Sequence, residues 1–319
     1  MSNDSTVHDL SVLIIAYRRF ENIERIINDC FKAGIRDFYF HIDVPKNSNE
    51  EARIDNQKVV TVIRELKKHL NFNSHIFLEA ENRGCAVSVV SGIDWAFTNC
   101  HQLIILEDDC IPSPAFFEFC SQGFRALSSN PRLHLICGTQ FAPKVATGDN
   151  PVLSKYALTW GWATTWTKWQ ELRKSFMQSQ LTLIERQLTA ITPESSFWSA
   201  GARRAMGGYI DTWDLVIGDF LYRNDYLALL PPRNLIMNIG DDSVAEHVEV
   251  NSQWTRLPIE ERLKHWTNSE ENIACDLWLK KNFYKIRIKH VFSTKINLFI
   301  DLLFSRRKIF SVPLKERLR

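Results

Sequence analysis

A chain of 319 residues, 45% of them apolar, can bury one large core or two modest ones, which excludes a disordered or fibrous protein. Its formal net charge of +2 excludes a uniformly basic nucleic-acid binder, yet residues 280–319 hold twelve Lys/Arg against two acids, so the tail and the net acidic body meet different partners. Seven cysteines, an odd number without CxxC spacing and mostly inside apolar runs, point to reduced thiols and a cytoplasmic setting. The opening MSNDSTVHDL has no basic stretch leading into an apolar one, and no run reaches the roughly 18 apolar residues of a spanning helix, so neither a leader nor a membrane span is expected.

Ser11–Ala16 (SVLIIA) is an unbroken β-branched run of the kind a strand covered on both faces requires. Glu21–Lys32 follows with Ile23, Ile26, Ile27 and Phe31 at helical spacing. Phe38–Ile42 is the next strand and ends at Asp43. Lys58–Leu70 forms an amphipathic helix, His75–Leu78 a third strand, Ala86–Phe97 a helix, and Leu103–Leu106 a fourth strand that runs into Glu107-Asp108-Asp109. Such alternation implies a parallel sheet whose ligands bind beyond the carboxyl ends of the strands, and Tyr17, Asp43 and Asp109 fall there. Residues 140–170 are loop-rich and crowded with Tyr156, Trp160, Trp162, Trp166 and Trp169. A helix is expected roughly over Trp169–Thr189, then the aromatic-acidic segment Tyr209–Asp214. Leu227–Leu230 forms a strand, and beyond Pro231-Pro232 an edge strand is expected over Arg233–Ile239, since proline cannot donate to a ladder.

The strongest chemical signal is LIILEDDC (Leu103–Cys110), a buried strand that delivers three successive carboxylates. Three acids this close repel one another unless a cation or hydrogen-bond donors compensate them, and a hard divalent ion shared with a diphosphate is the simplest compensator. A solvated acidic turn is the competing reading of these residues alone.

With the segments around it, the triplet resembles a known family. Ser11–Ile27, ENRGCAVSVVSGIDWAF (Glu81–Phe97), LIILEDDCIPSPAFFEFC (Leu103–Cys120), TWGWATTWTKW (Thr159–Trp169), DTWD (Asp211–Asp214) and PPRNLIMNIGDDSVAEH (Pro231–His247) look like GT-A glycosyltransferases. They are similar to bacterial family-2-like transferases and, more distantly, to N-acetylglucosaminyltransferase I. The resemblance implies a Rossmann-like α/β fold, a mixed sheet flanked by helices, with residues 1–250 as the catalytic domain. Its nucleotide-binding half is about 9–110 and its acceptor half about 111–250, with a basic helical extension over 251–319.

It further implies that Asp109 holds Mn²⁺ or Mg²⁺ on the diphosphate of a nucleotide-sugar, a UDP-sugar in the first instance, while Glu107 and Asp108 hold ribose and donor sugar. Asp43 would read the base, Ala16 and Tyr17 would lie beside it, and Arg83 would meet ribose or phosphate. A surface ion pair is the alternative for Arg83. Asp214 is the first choice for the base that deprotonates the acceptor hydroxyl, with Asp211 close behind; a helix cap is the alternative for either. His247 stands where such enzymes add a further metal or diphosphate contact. Of the tryptophans, Trp166 and Trp169 have the spacing of a core face, whereas Trp160 and Trp162 flank Gly161 and are expected to touch donor or acceptor.

In the tail, Phe292, Ile296, Phe299 and Leu303 share one helical face, Lys289, Ser293, Asn297 and Asp301 lie opposite, and Arg306-Arg307-Lys308 follows. Two readings stay open: an interfacial helix on the inner face of an anionic membrane, or a helix packed on the catalytic domain. The function expected is transfer of a sugar to a glycan or lipid-linked acceptor in surface-polysaccharide synthesis. A nucleotidyltransferase that makes the nucleotide-sugar is the alternative enzyme, but Ala16–Asn22 (AYRRFEN) lacks the glycine-rich loop that grips a triphosphate. A non-catalytic glycan-binding protein on the same fold is the third possibility, and no nucleic-acid partner is expected.

Overall fold

Six consecutive buried residues make Ser11–Ala16 the central strand β1. Val12, Ile14 and Ala16 enter one apolar layer with Phe38, Phe40, Ile104 and Leu106; Leu13 and Ile15 enter the other with Tyr39, Leu103 and Ile105. Covering both faces removes any polar alternation, and each such aliphatic side chain contributes about 1.5–3 kcal/mol of burial. The computed structural model describes residues 7–46, 49–142, 145, 148–240, 252–304 and 312–318.

The first half is the expected alternation of strand and helix. After β1 come α1 (Phe20–Lys32), β2 (Asp37–Ile42), α2 (Glu50–His69), β3 (Asn73–Leu78), α3 (Cys85–Ala96) and β4 (Gln102–Glu107). Strand β1 lies parallel to β2 and β4, and β3 is parallel to β2, so all four carboxyl ends meet at one edge. Helix α2 begins at Glu50 instead of Lys58, because the Asn49 side chain caps it by accepting from the Ala52 amide at 3.0 Å.

The second half departs more from expectation. It continues with β5 (Cys110–Pro112), α4 (Pro114–Ser129), β6 (Leu133–Cys137), β7 (Val152–Ser154), β8 (Trp162–Thr165), α5 (Trp166–Arg173), α6 (Gln180–Thr189), α7 (Pro193–Met206) and α8 (Asp214–Asn224). Then follow β9 (Leu227–Leu230), β10 (Ile236–Asn238), β11 (Glu270–Glu271), α9 (Ile273–Trp278), α10 (Lys289–Phe304) and α11 (Leu314–Arg317). The nine-stranded mixed sheet has the order β11-β7-β9-β6-β8-β4-β1-β2-β3 and is flanked by helices. The single helix expected over Trp169–Thr189 is two, capped by the hydroxyls of Thr165 and Ser179 and separated by a 3-10 turn at Lys174–Met177. The edge strand expected at Arg233–Ile239 shrinks to β10, which leaves the main sheet and pairs antiparallel with β5.

Residues 270–304 and 312–318 close on the same body. Strand β11 extends the sheet beside β7, and Cys275, Leu279, Ile286 and Leu314 are buried in its apolar layer. Helix α10 lies against α7 and α6 through Leu298, through the Thr294 carbonyl, which accepts from Gln187 Nε2 at 2.6 Å, and through Asp301, which pairs with buried Arg203. The helix therefore packs on the domain, but not by its apolar face. The basic run Arg306-Arg307-Lys308 lies outside the described residues.

His41 on β2 is fully buried beside Glu79, Ser91 and the Phe77 ring. Burial, and secondarily Arg83, lowers its pKa from 6.5 to about 4, so its 3.2 Å contact with Glu79 is made by a neutral imidazole. The unfolded chain binds that proton from pH 6.5 downward and the folded chain only near 4, so the stability it contributes is present above pH 6.5 and lost as pH falls toward 4. The loss amounts to about 3 kcal/mol at 1.36 kcal/mol per unit. Urea unfolding across this range should show that slope, and His41→Gln should flatten it.

Candidate active site

The carboxyl edge of β1, β2 and β4 gathers the predicted acids because each strand runs out of apolar sequence at the same level. Glu107 ends β4, and Asp108 turns back toward β1: its carboxylate accepts from the Tyr17 amide at 2.9 Å and from Arg19 Nη1 at 2.8 Å. The Asp108 carbonyl accepts from Asn22 Nδ2 on α1 at 2.9 Å. Asp109 is held from the other side. Its carbonyl accepts from the Ile239 amide at 2.9 Å, its carboxylate accepts from the Cys110 thiol at 3.3 Å, and Arg19 Nη1 stands 3.6 Å away. Gly240 lies directly against that carboxylate, where any β-carbon would collide with it.

These acids share one field. Burial pushes the Glu107 carboxyl well above the ordinary range, and the charges of Asp109, Asp108 and Asp214 push it further, with Arg19 opposing. Burial and Asp108 likewise raise Asp109, against Arg19 and the Cys110 thiol. Asp214 belongs to the cluster although 107 positions separate it from Glu107 in the sequence. It opens α8, where its Oδ1 accepts from the Leu215 amide at 2.8 Å and from the Thr212 hydroxyl. Arg19 pairs with Asp108 and stands near Asp109, while the charges of Asp108, Asp109 and Asp214 all act on Glu107.

Other predicted residues have structural partners. Asp43 is buried, and its carboxylate accepts from the amides of Val44, Arg83 and Gly84 at 2.9 Å, so it fastens the Asn82-Arg83-Gly84 turn to the end of β2. Ala16 and Tyr17 sit at the end of β1, where the Tyr17 and Asp43 carbonyls are both bridged by Asn56 Nδ2 at 2.5 and 2.8 Å. Asp211 caps α3 from a distance, accepting from the amides of Cys85 at 2.9 Å and Ala86 at 3.1 Å, with Arg317 at 3.8 Å. Arg83 donates to the Arg317 carbonyl at 2.6 Å while Arg317 donates to the Arg83 carbonyl at 3.0 Å, a reciprocal clasp that docks α11 beside the acids.

Trp162 is not a wall of the site. It is buried, stacked on Trp213 at 5.5 Å and tilted against Trp169, because its place in β8 aims it into the apolar layer. Gly161, with φ of 65°, makes its close approach to Ile236 instead of to a ligand. His247 lies outside the described residues. Sequence reasoning missed Arg19, Asn56 and Arg317. Only Arg19 left a signal, a cation placed just past the strand end where the acids collect.

Among the described residues, no three His, Cys, Asp or Glu side chains form a preformed metal cage. The carboxylate oxygens at this strand end are of the type a hard cation takes together with phosphate oxygens and water.

No family model matches the chain, and no curated protein matches it. The backbone is similar to several solved structures. One is a mannosyltransferase from Pyrobaculum calidifontis in complex with GDP-Man and Mn²⁺, at 12% identity and TM-score 0.40 over 74% of this chain and 58% of that one. A UDP-glucose pyrophosphorylase complexed with UDP-glucose matches at 7% and 0.38 over 72% and 92%. The galactosyltransferase LgtC with donor and acceptor sugar analogues matches at 10% and 0.31 over 50% and 59%. The chain thus spans less than two thirds of both glycosyltransferases, and the reading of its site rests on its own residues.

Asp211 and Asp214 should separate in stability. Asp211→Ala strips two amides at the α3 N-terminus of their acceptor and should cost about 1–2 kcal/mol. Asp214→Asn keeps an acceptor for Leu215 and should shift stability by less than about 0.5 kcal/mol. Denaturant midpoints of both variants check this.

Proposed function

We propose that the chain is a GT-A-type glycosyltransferase, moving a sugar from a nucleotide-sugar, in the first instance a UDP-sugar, to a glycan or lipid-linked acceptor in surface-polysaccharide synthesis, with inversion at the anomeric carbon. The observation that carries this reading is the placement of Glu107, Asp108 and Asp109 at the carboxyl end of β4 with Arg19 against both aspartates, and of Asp214, which opens α8, where its charge acts on Glu107. So much like charge at a strand edge is tolerable where a cation and a diphosphate belong.

Asp109, with His247 as a further candidate, would hold Mn²⁺ or Mg²⁺, which when bound supplies charge neutralisation for the departing nucleoside diphosphate. Tyr17 would lie beside the base at the end of β1, and Asp43 would act there through the turn it fastens. Glu107 would accept hydroxyls of the ribose or donor sugar. Asp108 would keep Tyr17 and Arg19 in place. Asp214 would take the proton from the acceptor hydroxyl as its oxygen attacks the anomeric carbon; the bond to the diphosphate oxygen breaks, and its electron pair leaves with the phosphate. In this scheme Asp211 and Trp162 are supports of the base-bearing segment and not reactive groups.

A calorimetric screen of nucleoside diphosphates and nucleotide-sugars, with and without Mn²⁺, followed by product analysis on the best donor, tests the proposal. Asp109→Ala should abolish the metal-linked part of donor binding. Asp214→Asn should leave donor binding intact and lower the transfer rate by about 100-fold or more. Unchanged transfer in Asp214→Asn removes it as the base, and release of pyrophosphate in place of nucleoside diphosphate assigns the site to nucleotidyl transfer.

A further inference from the structure

Helix α10 is mounted inside out. Its inward side carries Thr294, Leu298 and Asp301, fastened to Gln187 and Arg203, while Phe292, Ile296, Phe299, Ile300 and Leu303 are turned outward. Together with Ile288 just before the helix, these residues are between 46% and 75% exposed. They recur at i, i+4, i+7, i+8 and i+11, a continuous stripe along one side of a helix of 16 residues. Scattered exposed apolar residues need no explanation, but a stripe of large aliphatic and aromatic side chains on one helix does. Helix α6, packed beside α10, adds exposed Leu181 and Leu188.

The charges around the stripe indicate what covers it. Between residues 285 and 304 the basic residues are Lys285, Arg287, Lys289 and Lys295, and the sole acid is Asp301. Asp301 is turned inward and neutralised by Arg203, whereas Lys285, Arg287 and Lys289 are exposed. The outward side is therefore apolar and basic with its one carboxylate removed. On α10 the outward side is apolar along its length, basic at its start and free of acids, the nearby exposed acid being Glu185 on α6, and such a side complements a layer of anionic headgroups over hydrocarbon. No described helix is long and apolar enough to cross a membrane, so α10 would lie in the plane of the interface.

We propose that this face of α10 docks the protein on an anionic lipid bilayer, with Phe292, Ile296, Phe299 and Leu303 entering the interface and Lys285, Arg287 and Lys289 meeting the headgroups. The inference stands on the mounting of the helix and does not depend on sugar transfer. A chain that binds vesicles yet turns over no nucleotide-sugar overturns the proposed function and leaves this one intact.

Flotation of the full chain with phosphatidylcholine vesicles, with and without phosphatidylglycerol, is the test. The parent chain should float with the anionic vesicles and be released by salt. Phe292→Asp/Phe299→Asp, altered only at exposed positions, should stay at the bottom with an unchanged melting temperature. Lys285→Ala/Arg287→Ala/Lys289→Ala should weaken anionic binding by about a hundredfold, at roughly fivefold per charge, without affecting the fold. The proposal is overturned if the parent fails to float, or if the double aspartate variant floats equally well. It is also overturned if light scattering finds a parent dimer that the aspartates dissociate, which would make a second copy of the chain the occupant.

Discussion

Mutual repulsion among Glu107, Asp108, Asp109 and Asp214 is the constraint around which this end of the molecule is built. Like charges at the tip of a buried strand would separate if the backbone allowed it. The backbone does not allow it. Asp108 is tied to the Tyr17 amide and to Asn22, and Asp109 to the Ile239 amide. The small β5–β10 ribbon exists where it does to supply that last bond, and Gly240 leaves no side chain between it and the Asp109 carboxylate. Arg19 relieves part of the repulsion through its contacts with Asp108 and Asp109.

A second layer of fixation surrounds the acids. Asp43 and Asp211 look alike in sequence to the acids of that cluster, yet both turn their oxygens to backbone amides at the start of α3 or in the turn before it. Two carboxylates at one helix entrance hold the orphan amides that a glycine cap, Gly84, cannot. The consequence for the site is rigidity: the turn carrying Arg83 and the segment leading to Asp214 are fastened to the same helix end. Trp213 extends the link, since its stacking on buried Trp162 fixes the residue before Asp214 to the central sheet.

What the sequence made legible follows from how local each signal is. Strands β1, β2 and β4 and the acid triplet were visible because both depend on neighbours in the chain, an apolar run and the charges that end it. The early start of α2 depended on one capping asparagine, Asn49, among polar residues that masked the helix period. Trp162 was misplaced because Trp160-Gly161-Trp162 looks like a loop, whereas pairing of β8 between β4 and β6 turns Trp162 inward, an effect of residues far away in sequence. Asp211 could not be told from Asp214 by spacing, since only the position of α3 decides which one holds the amides at that helix's start, whereas Asp214 accepts from the amide of its own neighbour Leu215. Arg317 was out of reach altogether, being 234 positions from the Arg83 carbonyl it bonds.

The tail joins these themes, because its two helices use opposite surfaces. Helix α11 inserts Leu314 into the core and clasps Arg83, so the chain end is part of the wall beside the acids. Helix α10 commits its polar side to the domain and keeps its apolar side outward, the reverse of what burial of apolar surface favours for a helix free to choose. A buried Arg203–Asp301 pair is costly to desolvate, and roughly the same contact could be made by apolar residues at lower cost. What the pair does supply is orientation: with Asp301 committed to Arg203, the stripe from Phe292 to Leu303 has no way to turn inward, and the helix is held with that stripe toward whatever the protein docks on.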